Sequence, residues 1–130
     1  MSEKTKIELE YDIYASPSLI FRYVSTPFGL SEWFADNVRF RGEKYTFIWD
    51  DTEEHAVELK RKTNQFIRYQ WLTEEENYEN YYFEFRIDVD AVTKDVLLVV
   101  TDFVDQDDIE ESELLWNSLI QNLKSVLGST

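Results

Sequence analysis

Six stretches of this chain alternate apolar and polar residues at every second position, the period of a strand with one face buried and the other wet. Ile7, Leu9, Tyr11 and Ile13 alternate with Glu8, Glu10 and Asp12; Val38 and Phe40 alternate with Arg39 and Arg41; Tyr45, Phe47 and Trp49 follow a turn at Gly42. Val57 and Leu59 stand against Glu58 and Lys60, and a turn at Thr63-Asn64 leads into Ile67, Tyr69 and Trp71. Tyr81, Phe83, Phe85, Ile87 and Val89 then alternate with Tyr82, Glu84, Arg86, Asp88 and Asp90. A seventh run, Val96 to Phe103, is apolar on both faces and is expected to be covered on both. Seven such strands in near succession predict an antiparallel meander. Counting parity along the fourth strand puts His55, the only histidine, on the inward face with Val57 and Leu59.

Helix punctuation interrupts this pattern three times. Ser16-Pro17 places an N-cap before a first-turn proline and opens a helix carrying Leu19, Ile20, Tyr23 and Val24. Thr26-Pro27 repeats the device and opens a second short helix, expected over Phe28 to Ala35. The third is long: Asp107 or Asp108 is its expected cap, and Glu110 and Glu111 match its positive end. Leu115, Trp116, Leu119, Ile120, Leu123, Val126 and Leu127 form its apolar stripe, and Gly128 ends it. The order is strand, two short helices, six strands, long helix, with no linker or repeat, which implies one α+β domain spanning residues 1–130. A twisted meander curls, and the long helix fits its concave side.

Composition narrows the function classes. The 130 residues contain no Cys, so disulfides, thiolate metal sites and a cysteine nucleophile are excluded. The longest aliphatic run, Val96 to Val100, is too short to insert in a bilayer, and the start Met-Ser-Glu-Lys-Thr is unlike a signal peptide, so a cytoplasmic location is expected. A net charge of −14 repels a phosphate backbone, which argues against nucleic acid. That charge is also unevenly placed. Asp50, Asp51, Glu53, Glu54, then Glu74, Glu75, Glu76, Glu79, then Asp105, Asp107, Asp108, Glu110, Glu111 and Glu113 lie in three segments without Lys or Arg. The remaining 13 acids match the 13 bases, so the whole net charge resides in those segments. They follow strands three, five and seven, and alternating strand direction collects them at one end of the sheet as an acidic rim. Arg39, Arg41, Lys44, Lys60, Arg61, Lys62 and Lys94 fall toward the other end.

Catalytic and metal constellations are weak. His55 lies beside Asp50, Asp51, Glu53 and Glu54, yet no G-x-S-x-G elbow supplies a nucleophile for it. The Asp105 to Glu111 acids lack the glycine and spaced glutamate of a calcium loop, so neither metal nor cofactor is expected. Asp36 and Asp102 read as structural acceptors for backbone groups at a helix exit and a strand end. The aromatics, 16% of the residues, carry the functional question. Trp33, Phe34, Phe47, Trp49, Tyr69, Trp71, Phe83, Phe85 and Trp116, with Leu119, Ile120 and Leu123, are expected to face one interior. They either fill it or leave an apolar cavity between sheet and long helix.

The element order resembles the helix-grip fold of the START-like (SRPBCC) superfamily, whose relatives include the birch pollen allergen and the C-terminal domain of the activators of the heat-shock chaperone ATPase. Ser25-Thr26-Pro27-Phe28-Gly29-Leu30-Ser31-Glu32-Trp33-Phe34-Ala35-Asp36 resembles the second-helix signature of small bacterial START-like proteins. Thr101-Asp102-Phe103 followed by Glu113-Leu114-Leu115-Trp116 resembles their last strand and helix entry. The resemblance implies the fold closely and the function loosely, since the superfamily includes lipid carriers, receptors, cyclases, hydrolases and co-chaperones. The resulting expectation is a non-catalytic binder of a small, apolar or amphiphilic molecule, as a monomer or homodimer. Docking of a basic protein surface on the acidic rim is the alternative, and an enzyme comes third.

Overall fold

Ser16 and Thr26 each close a helix N-terminus with their own hydroxyl. In the computed structural model, which describes residues 4–73 and 81–129, Ser16 Oγ accepts from Leu19 N at 3.2 Å and Thr26 Oγ1 from Gly29 N at 2.9 Å. They start α1 (Pro17–Ser25) and α2 (Pro27–Ser31). The second helix is shorter than the expected Phe28 to Ala35. Helical continuation would send the consecutive rings of Trp33 and Phe34 in directions about 100° apart. The chain instead winds down on Leu30 O, which accepts from Trp33 N, Phe34 N and Ala35 N at 3.4, 2.8 and 3.3 Å, and both rings are buried.

Before these helices comes β1 (Thr5–Ile13), and after them β2 (Asn37–Arg41), β3 (Lys44–Trp49), β4 (Thr52–Lys62), β5 (Phe66–Leu72), β6 (Phe83–Val89) and β7 (Val96–Val104). Among the described residues these seven form one antiparallel sheet in the order β1-β7-β6-β5-β4-β3-β2. Gly42 and Glu43, both at positive φ (53° and 70°), make the tight turn between β2 and β3. A 3₁₀ turn at Gln106–Asp108 leads from β7 into α3 (Ile109–Leu127). Asp108 is its N-cap residue but its side chain accepts no capping hydrogen bond, and Gly128 ends it in the left-handed region at φ 75°.

The core lies between the concave face of the sheet and the three helices. Ile20, Val24, Leu30, Phe47, Ile67, Tyr69, Phe83, Phe85, Leu98, Val100 and Leu123 are completely inaccessible. On β7 the outward Val99 and Thr101 are also buried, without a second layer over them. Glu10 and Arg86 flank Val99, and Glu8 and Glu84 flank Thr101, so the stems of long side chains cover that face.

Two expectations are corrected by the packing. On β4 the inward residues are Glu54, Ala56 and Glu58, paired with Phe47, Tyr45 and Tyr69. His55 therefore points outward, where Nδ1 meets Thr46 Oγ1 at 2.9 Å, and Leu59 is half exposed. Leu59 is also the extra residue of a bulge between Glu58 and Lys60, so parity inverts there and Arg61, opposite Ile67, points inward again. On α3 the buried residues are Trp116, Ile120 and Leu123, whereas Leu115 and Val126 are 60% and 39% exposed. Trp116 reaches across to Phe34 and to Phe85 on β6, with ring centroids 5.9 Å apart in each case.

Candidate functional site

The interior aromatics divide into a filled half and a lined half. Phe47, Tyr69, Phe83 and Phe85 are inaccessible, Trp33 and Phe34 nearly so, and their rings meet in edge-to-face and stacked pairs. This half is closed at the α1 end by polar contacts. Tyr69 Oη donates to Val24 O at 2.6 Å, and burial pushes the Tyr69 phenol well above its usual range. Arg61 donates from Nε and Nη2 to the two oxygens of Glu58, both at 2.8 Å, and from Nη2 to Ser25 O at 3.3 Å. The bulge at Leu59 is what brings both partners to the concave side.

At the other end the rings stop short of filling the space. A cleft of about 320 Å³ opens between α3 and the ends of β3, β5 and β7, walled by Phe34, Trp49, Trp71, Leu115, Trp116 and Leu119. Trp49, Trp71 and Leu119 are half-buried there, and Leu115 is exposed. Its polar wall is Glu54 and Asp102. A smaller cleft of about 240 Å³ adjoins it across the same Glu54, Trp71 and Asp102, and is otherwise lined by Lys4, Thr73, Tyr81, Tyr82 and Phe103.

The indole groups hold this wall in place. Trp49 Nε1 donates to Phe34 O at 2.7 Å, and Trp116 Nε1 donates to Asp102 Oδ2 at 2.9 Å. Phe103 N donates to Asp102 Oδ1 at 2.8 Å. Burial nevertheless raises the Asp102 carboxyl above its ordinary value, against the lowering effects of Trp116, Phe103 N and the Lys4 charge. Asp36 has a structural place of the kind expected for it, accepting from Asp50 N at 2.8 Å.

Of the expected cavity residues, Phe34, Trp49, Trp71, Trp116 and Leu119 line the cleft, while Trp33, Phe47, Tyr69, Phe83, Phe85, Ile120 and Leu123 do not. Of the acidic rim, Asp50 and Asp51 occupy the β3–β4 turn and Glu53 and Glu54 lie on β4 itself, with Glu53 paired to Arg39 at 3.2 Å. Asp105 pairs with Lys4 at 3.6 Å, Asp107, Asp108, Glu110 and Glu111 are exposed where β7 passes into α3, and Glu113 is half-buried. Antiparallel pairing puts these two groups at one end of the sheet. Glu74, Glu75, Glu76 and Glu79 lie outside the described residues. Leu115 and Asp102 were not legible as lining residues, because neither burial nor parity marks a residue that borders a gap. Among the described residues no group of His, Asp and Glu could hold a metal ion, and no helix is long and apolar enough to cross a membrane.

Residues 1–129, which carry the seven-stranded sheet, the two short helices after its first strand and the long C-terminal helix, match the family model for the START-like superfamily domain. The chain belongs to the START-like superfamily. Within this superfamily it is similar in structure to the Aha1 dimer from Colwellia psychrerythraea, with a TM-score of 0.80 and 18% identity over 95% of this chain and 96% of that one. A Bacteroides fragilis protein is 32% identical over 96% of this chain and 92% of that one, with a TM-score of 0.65. A Mesorhizobium loti protein matches at a TM-score of 0.77 and 15% identity, over 95% and 97% of the two chains. No curated protein matches the sequence.

Proposed function

We propose that this START-like protein is a non-catalytic binder of a small, largely apolar molecule, held in the cleft between α3 and the sheet. The observation that carries the reading is the wall itself. Half-buried Trp49, Trp71 and Leu119 and exposed Leu115 face a common space of about 320 Å³, at the lower end of the range for small-molecule sites. Apolar surface held open toward water in a concave wall gains free energy when a ligand displaces that water. Binding rather than catalysis is favoured because the titratable groups of this wall are two carboxylates, with His55 on the opposite face of the sheet. The test is titration of tryptophan fluorescence with Nile red, a neutral apolar dye. Saturable one-to-one binding, weakened about tenfold by Trp71→Ala, is the expected result. Binding that never saturates, or that Trp71→Ala leaves unchanged, counts against the cleft.

A second reading, docking of a basic protein segment, is favoured by one observation: Leu114 and Leu115, 65% and 60% exposed, lie beside Glu110, Glu111 and Glu113 at the start of α3. Such a partner would bury the leucines and pair with the acids.

A further inference from the structure

We propose that the ligand of this cleft carries a cationic amine head, seated between the carboxylates of Glu54 and Asp102 with its apolar tail along Trp49, Trp71 and Leu119. This rests on the reading of the cleft as a ligand site and adds the charge of what enters it. Glu54 and Asp102 come from strands far apart in the sheet, β4 and β7, yet border the same space, and together with Trp71 they form the seam between the larger and the smaller cleft.

The hydrogen-bonding groups of the wall are lopsided. Trp49 and Trp116 have already committed their indole N–H groups, to Phe34 O and Asp102 Oδ2. Among the described residues Glu54 has no hydrogen-bond or ion-pair partner, and Asp102 receives two donors while its two oxygens offer about four acceptor sites. What the seam presents is therefore acceptors. Lys4 is the described cation of the smaller cleft, and its Nζ lies 3.6 Å from Asp105, so one cation serves a corner with three carboxylates. An anionic head would meet those carboxylates across apolar walls, where charge repulsion is least screened. A neutral head can donate to one carboxylate but compensates neither charge, whereas an ammonium has several N–H donors for both carboxylates, offsets their charge and is attracted to the indole faces beside them. The exposed acids at the same end of the molecule draw cations toward this mouth.

Three probes with the same eight-carbon tail separate charge from apolar binding: octylammonium, octan-1-ol and octanoate, each titrated calorimetrically at low ionic strength and again at high salt. The expected order is ammonium tightest, about tenfold tighter than the alcohol, with octanoate weakest. Glu54→Gln, a change at an exposed side chain that leaves the core untouched, should shrink the ammonium-to-alcohol ratio to about twofold, and Asp102→Asn should shrink it further. Equal affinity for all three probes overturns the cationic head while the apolar cleft stands. A preference that survives Glu54→Gln and Asp102→Asn together also overturns the seat between them. If none of the three binds saturably, the cleft reading itself fails, and the inference with it.

Discussion

Trp116 on α3 donates its indole N–H to the carboxylate of Asp102 on β7 at 2.9 Å, and with the bond from Tyr11 Oη on β1 to Asn117 Oδ1 at 2.7 Å it ties the long helix to the sheet. Trp116 is 5% exposed, and its ring packs against Phe34 and Phe85 with centroids 5.9 Å away in both cases. Trp116→Ala removes the ring and the donor together and is expected to cost about 3–5 kcal/mol. Trp116→Phe keeps most of the packing but leaves Asp102 Oδ2 without its donor, at about 1–3 kcal/mol. Urea denaturation of the two variants should rank them in that order. Equal midpoints for both and wild type would mean that the helix is held elsewhere.

The same carboxylate makes stability depend on pH in a defined direction. Its raised pKa means that the folded protein holds the Asp102 proton more tightly than the unfolded chain does. Its contribution is therefore fully present below the ordinary carboxylate range and is lost as pH rises through the folded pKa. The charges facing it are Lys4 and Glu54, both of which remain in Asp102→Asn. Relative to that variant, wild type should gain melting temperature on acidification from neutral pH. A difference between the two that is constant with pH would assign Asp102 an unshifted pKa.

Removal of Leu59 should be tolerated nearly as well as its truncation, because it is the unpaired residue of the β4–β5 ladder. Leu59→Ala alters a side chain that is 47% exposed and should change stability by about 0.5 kcal/mol or less. Deletion removes the bulge but leaves Lys60 opposite Arg68 and Arg61 opposite Ile67, so regular alternation keeps Arg61 on the inner face with Glu58 and near Ser25 O, at an expected cost of about 1 kcal/mol or less. Denaturant midpoints compare the two directly; similar values are expected, and a deletion that costs several kcal/mol more than Leu59→Ala would show that the bulge itself holds the inner face of β4.

Gly29 lies where α1 and α2 cross. A methyl group there would come within 2.5 Å of Arg22 O and 2.6 Å of Tyr23 Cα, both backbone atoms that cannot step aside independently. Gly29→Ala is expected to destabilise by about 1–3 kcal/mol in thermal or chemical unfolding, in spite of alanine's better helix propensity. A neutral or stabilising result would show that the two helices can separate freely.

Much of the architecture was legible along the chain because it depends on local chemistry. Period-two alternation marks strands wherever one face is apolar, and Ser16-Pro17 and Thr26-Pro27 carry their caps within four residues. The charge separation was legible as well, since strand alternation alone carries the connections after β3 and β7 to one end. Two features were decided only by the assembled fold. Parity on β4 cannot be counted from Val57 and Leu59, because alternation says that faces alternate and not which one is inside; the pairing of Glu54 with Phe47 and the bulge at Leu59 settle it. The cleft is the other. Ring volumes can be summed from a sequence, but a gap is the difference between that volume and the space enclosed by sheet curvature and helix standoff. Contacts between distant elements set that standoff, among them Trp116 with Asp102, fourteen residues apart, and Asn117 with Tyr11. The aromatic wall is thus a property of the sequence, and the opening beside Glu54 and Asp102 is a property of the tertiary structure.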